Sequence, residues 1–174
     1  MDASFNETLA EAQRKALRLL SYGPRSKMGL YQKLRDTGFD HGPAEAAVDA
    51  MEAQGFVNDE KMAADYVALA IESKAHGRYR IIQELTRRGI SKDLAETAYE
   101  TYVTELAEQS ADGEEADIDL ENAVASLEKR MRQTGLEPDE LDAGDIRRLT
   151  GFLHRRGFSF GTIRRAFSRI QDDY

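Results

Sequence analysis

Arginine is the residue in this chain best equipped for chemistry, and that chemistry is the binding of anions. Arg147/Arg148 and Arg155/Arg156 form pairs eight residues apart, Arg164/Arg165 follow, and Ile146 to Gln171 holds seven arginines, one histidine and no acid. A spacing of i to i+8 keeps two pairs roughly on one side of a helix. Guanidinium groups donate forked hydrogen bonds to phosphates or carboxylates, so such a row suits DNA or an acidic protein face. A second basic group, Lys74, Arg78, Arg80, Arg87, Arg88 and Lys92, sits on or beside one predicted helix. The competing reading pairs the C-terminal arginines internally, with Asp139, Glu140, Asp142 and Asp145 or with an acidic stretch upstream. Phe152, Phe158, Phe160 and Phe167 could stack on bases, but their spacing is that of a small core. Tyr79, between Arg78 and Arg80, is expected to be exposed.

No catalytic constellation accompanies these cations. His41, His76 and His154 lack the HExxH spacing, and the absence of cysteine removes thiol nucleophiles, disulfides and cysteine-bearing zinc sites. The glycines form neither a P-loop nor a dinucleotide fingerprint. Asp112, Glu114, Asp117 and Asp119 do not fit the calcium-binding loop with its central glycine and final glutamate. The expectation is a protein that is not an enzyme and uses no metal or cofactor. No apolar run approaches the roughly 18 residues of a membrane span, and the first residues carry acids where a signal peptide carries basic groups. A cytoplasmic protein is expected.

The net charge of −8 conceals an uneven distribution. Residues 1–58 hold 7 basic and 8 acidic side chains, and residues 59–104 hold the same numbers. Residues 105–121 hold 0 and 8, whereas residues 122–174 hold 10 and 8. One acidic stretch therefore carries the whole excess, and the C-terminal region is basic.

These side chains must be positioned by helices, because nearly every periodic segment has the helical period and alternating strand patterns are absent. Stripes such as Leu9, Ala12, Ala16, Leu19 and Leu20, or Leu120, Ala123, Val124, Leu127 and Met131, mark apolar faces. A ten-residue pattern recurs at 30–39, 81–90 and 149–158, aligning Leu34, Leu85 and Leu153 and also Gly38, Gly89 and Gly157. A glycine just past a helix end adopts the left-handed conformation without a Cβ clash. Phe39, Ile90 or Phe158 then covers the helix end, and Asp40, Ser91 or Ser159 caps the next helix; Phe158 and Ile163 have the spacing of a hydrophobic staple. The predicted fold is all-α, three tandem three-helix (helix-turn-helix-like) repeats in an elongated or curved array. Predicted helices span 6–22, 26–37 and 41–54, then 59–75, 78–88 and 91–109, then 118–133, 143–156 and 159–171. The repeats occupy 1–57, 58–108 and 118–174, with an acidic flexible joint at 109–117 about which the basic third repeat is expected to move.

The first two repeats resemble the RecX family, bacterial regulators of the recombinase RecA. The resemblance is carried by Ala16-Leu17-Arg18-Leu19-Leu20, Arg25-Ser26 with Leu30 and Leu34, Gly38-Phe39, and Gly55-Phe56-Val57-Asn58-Asp59. It continues through Ala63, Tyr66, Gly77-Arg78, Ile81, Glu84, Leu85, Gly89 and Ile90, with Phe152-Leu153 and Arg156-Gly157-Phe158 matching more loosely in the third repeat. Asn58 stands where the family usually has an aspartate, Gly29 replaces a common glutamate, and the acidic joint is longer. The resemblance implies tandem three-helix repeats and a monomer that binds RecA filaments on single-stranded DNA. It also implies inhibition of strand exchange, ATP hydrolysis and coprotease activity, within homologous recombination, DNA repair and the SOS response. The candidate contact set for this partner, or for single- or double-stranded DNA, is Arg25, Lys74, Arg78, Arg80, Arg87, Arg88, Arg147, Arg148, Arg155, Arg156, Arg164 and Arg165. Two other readings stand beside it: a helix-turn-helix protein that binds DNA directly, without RecA, and a helical adapter for another protein.

Overall fold

A computed structural model of the chain describes residues 3–109 and 117–172. The described residues contain nine α-helices and no strand: α1 (Ala3–Leu20), α2 (Lys27–Asp36), α3 (His41–Ala53), α4 (Asp59–Glu72), α5 (Arg78–Arg87), α6 (Lys92–Gln109), α7 (Ile118–Thr134), α8 (Ala143–Arg155) and α9 (Phe160–Asp172). A short 3-10 turn, Pro138–Glu140, lies in the loop before α8. Two compact units result. The first holds the described residues up to Asp65 with Leu85–Ala95; the second holds Tyr66–Glu84 and the described residues from Glu96 onward. The acidic joint, but for its two ends, lies outside the described residues.

In the first unit α1, α2 and α3 enclose Ala12, Ala16, Leu30, Leu34, Ala44, Ala47, Val48, Met51 and Val57. Alanines on α1 and α3 let the backbones approach closely, while the α2 leucines fill the space between them. Ser26 caps α2 by accepting from the Gly29 N–H at 3.0 Å. Asp40 stands at the start of α3 with extended backbone, but contrary to expectation its side chain makes no capping bond. The third residue of that helix is Pro43, which has no N–H to donate.

In the second unit α7, α8 and α9 bury Ala123, Leu127, Met131, Leu149, Leu153, Phe158, Ile163, Ala166 and Ile170. The expected staple is present, with Phe158 and Ile163 both in this core, and Ser159 Oγ accepts from the Thr162 N–H at 3.0 Å. Asp142 and Asp145 form a reciprocal capping box at the start of α8. Phe160 departs from the expected core position and is 65% exposed, its ring 4.6 Å from that of His154.

The three recurring turns are conformational copies. Gly38, Gly89 and Gly157 have φ of 98°, 90° and 87°. After each, the N–H of Phe39, Ile90 or Phe158 returns to the carbonyl of Leu34, Leu85 or Leu153 at 3.3, 3.1 and 3.3 Å. Helix α4 ends at Glu72, short of the expected 75, because Lys74 takes a left-handed φ of 51°.

Candidate functional site

Each unit contains one junction of the same design, a turn seated against the start of a helix. In the first unit the turn after α5 meets the start of α2. The Ser26 hydroxyl donates to the Arg88 carbonyl at 2.5 Å while accepting from Gly29 N–H. A Cβ at Gly29 would lie 3.2 Å from that carbonyl oxygen, and one at Gly89 only 2.7 Å from Ser26 Oγ. A side chain at Gly29 would thus need the turn to shift by a few tenths of an ångström, whereas one at Gly89 would clash outright. A groove of about 560 Å³ runs beside this junction, lined by Arg25, Met28, Lys33, Met62, Arg87 and Arg88 among others. Arg25 Nε donates to the Leu19 carbonyl at 3.5 Å, while Arg87 and Arg88 are exposed.

In the second unit the turn after α8 meets the start of α5. Gly77 N–H donates to the Arg156 carbonyl at 2.8 Å, and Tyr79 N–H donates to the Gly157 carbonyl at 3.3 Å. Arg156 Nη1 returns a bond to the Ala75 carbonyl at 3.0 Å, its guanidinium 4.4 Å from the centre of the Phe152 ring. Further bonds join α7 to the segment around α4's end: Asn122 Nδ2 to the Ile71 carbonyl at 3.3 Å, and Ser126 Oγ to the Lys74 carbonyl at 2.7 Å. Asp119 accepts from Arg78 N–H at 3.0 Å, capping α5, and burial holds its carboxyl above the usual carboxylate range. Burial, then Arg156 and Arg80, hold the His76 imidazole below its ordinary value.

These contacts divide the candidate cations. Arg78 pairs with Glu100 at 2.8 Å and lies over Tyr99; Arg80 pairs with Glu84 at 2.7 Å. Arg148 pairs with Asp145, and Arg165 with Asp117 at 2.5 Å. Arg169 reaches Glu121 at 2.7 Å. Of the four acids weighed as internal partners, Asp145 alone forms an ion pair among the described residues. Arg156 is a junction residue. Lys74 is exposed, but its carbonyl serves the junction. By contrast Arg147, Arg155 and Arg164 are exposed and have no ion-pair partner among the described residues. Tyr79 is 68% exposed, as expected.

Arg147, Arg148 and Arg155 come together around a cleft of about 400 Å³ between α7 and α8, with Leu136, Leu149 and Phe152 also lining it. The fourth cation there is Arg130 of α7, 5.4 Å over the Phe152 ring. Sequence reasoning passed over Arg130 because the i to i+8 pattern lies wholly on α8. The available signal was the cluster Lys129-Arg130 and Arg132 near the end of the preceding helix. Among the described residues no group of three or more histidine or acidic side chains could hold a metal ion, and no helix is long and apolar enough to cross a membrane.

Comparison with known proteins assigns the lineage. Models of the RecX first, second and third three-helix domains match residues 12–50, 58–98 and 117–167. The regulatory protein RecX of Trichlorobacter lovleyi is 33% identical over 154 residues, covering 88% of this chain and 92% of that protein. That of Streptomyces coelicolor is 30% identical over 168 residues, covering 96% and 81%. The crystal structure of RecX from Lactobacillus salivarius superposes with a TM-score of 0.75 at 20% identity, covering 97% of this chain and 99% of that one, a likeness of fold. With three domain models in tandem and relatives aligned over most of both chains, this chain belongs to the RecX family.

Proposed function

We propose that this chain is a non-enzymatic regulator of RecA that binds the recombinase filament on single-stranded DNA and lowers its strand-exchange, ATPase and coprotease output. The observation that carries the proposal is membership of a family whose aligned relatives are named regulatory protein RecX, matched across all three domains. The chemistry of the surface supports it. Exposed guanidinium groups without internal acids keep their full capacity for charge-assisted bonds to an acidic or phosphate-bearing partner. Arg147, Arg155 and Arg164 are accordingly the principal contacts, while Arg78, Arg80, Arg148 and Arg165 must leave an existing acid before they can engage. Arg25, Arg87 and Arg88 supply a second contact beside the first junction, and Lys74 a further one. The regulator acts in the cytoplasm as a monomer.

The test is direct. Purified protein at stoichiometric ratio to RecA should slow DNA-dependent ATP hydrolysis and strand exchange, and replacing Arg147, Arg155 and Arg164 with glutamate should weaken filament binding by tenfold or more. Unchanged ATPase and strand exchange at that ratio would end this reading. DNA binding that needs no RecA and discriminates among sequences would favour the direct DNA-binding alternative.

A further inference from the structure

We propose that the arginine-rimmed cleft between α7 and α8 is a receptor for an acidic peptide segment carrying one apolar side chain. Two of its properties point to this ligand. Its rim holds four guanidinium groups, from Arg130, Arg147, Arg148 and Arg155, and no carboxylate residue lines it. Only Arg148 is committed to an acid, Asp145. Its remaining lining is largely apolar, with Leu136, Leu149 and Phe152. At about 400 Å³ the cleft matches the size of pockets that enclose a ligand group.

Charge alone would suit phosphates as well as carboxylates, so the apolar lining decides. Single-stranded nucleic acid is held by an open basic track with aromatic faces free for stacking. Here the one aromatic ring is already covered by guanidinium groups, Arg130 at 5.4 Å and Arg156 at 4.4 Å from its centroid. A base stacking on Phe152 would have to displace these cation–π contacts. Leu136, Leu149 and the ring edge offer a seat for a leucine- or phenylalanine-sized group, and the rim offers forks for the carboxylates flanking it. An apolar anchor ringed by charge pairs is the arrangement that concentrates binding energy at protein interfaces.

This inference deepens the regulatory reading above, resting on it for the partner's identity, but the binding step is measured without RecA. The probe is a fluorescein-labelled peptide, Glu-Asp-Glu-Phe-Asp-Glu, titrated with the full chain and followed by anisotropy. Saturable binding is expected, weakened roughly tenfold or more when the peptide's phenylalanine becomes serine. A comparable loss is expected in the Arg147→Glu/Arg155→Glu variant, while Lys129→Glu on α7 leaves affinity unchanged. Circular dichroism checks that the variants fold, and the peptide-side change needs no variant at all. Absence of saturable binding, indifference to the phenylalanine, or displacement of the peptide by oligothymidylate at equal or lower concentration would each overturn the proposal. A failed peptide assay alongside intact RecA inhibition would remove the cleft's role and leave the regulatory reading standing.

Discussion

Gly157 is held in place by two independent constraints. Its φ of 87° strains any other residue, and a Cβ there would lie 2.9 Å from Arg80 Cα and closer still to its backbone nitrogen. Gly38 has a similar φ of 98° but open space around the missing Cβ. Gly38→Ala should therefore cost about 1 kcal/mol, the conformational part alone, whereas Gly157→Ala should cost roughly 3 kcal/mol or more because backbone must move. Urea denaturation of the two variants measures the difference. His76 gives a pH test. Burial first, then the charges of Arg156 and Arg80, lower its pKa, with Glu84 opposing. As pH falls through the ordinary value of 6.5, the unfolded chain takes up this proton before the folded one does. The His76 contribution is thus complete above that pH and lost below it. Between about pH 7.5 and about 5.5, Tm should fall more for the parent protein than for His76→Gln. Roles at this scale were the least legible in the sequence. Arg155 and Arg156 are neighbours of identical type, yet one is exposed and the other bonds to Ala75, 81 positions away along the chain. No local pattern carries that information.

Helices, by contrast, were readable almost throughout, because apolar residues at a 3.6 period and glycine at a helix end are local facts. The departures occur where a distant group intervenes. Helix α4 stops early, and Lys74, the left-handed residue just beyond it, presents its carbonyl to Ser126, 52 positions away. One expected cap failed for a nearer reason: Asp40 has the right type in the right place, but Pro43 removes a donor it would serve. Paired substitutions should separate the two situations. Ser159→Ala, which removes the acceptor for Thr162 N–H, should destabilise the protein by about 1 kcal/mol. Asp40→Ala should leave stability within experimental error, as no side-chain bond is lost. Thermal or chemical melts of both variants decide the point.

At the scale of the whole molecule, the threefold repeat was evident in the sequence, but the way in which a repeat's turn is received by the preceding helix start was not. Ser26 and Gly77 occupy aligned positions, four residues before Leu30 and Ile81, and each donates a hydrogen bond to the turn that meets it. The third member of that alignment, four residues before Leu149, is Asp145. It already lies inside α8, its N–H is taken by Asp142 at 2.7 Å, and its carboxylate is taken by Arg148. Helix α8 thus starts about one turn earlier than α2 or α5 relative to this alignment, and it presents an acceptor side chain there in place of a donor. The start of α8 therefore lacks the donor that receives a turn at Ser26 and Gly77. With Ser26 and Gly77 already engaged within the chain, we predict that the open turn at Gly38 finds no recipient on a second copy. Sedimentation equilibrium should accordingly return 19.5 kDa at every loading concentration. Replacing Asp142 and Asp145 with serine and glycine should then make the measured mass rise with loading concentration.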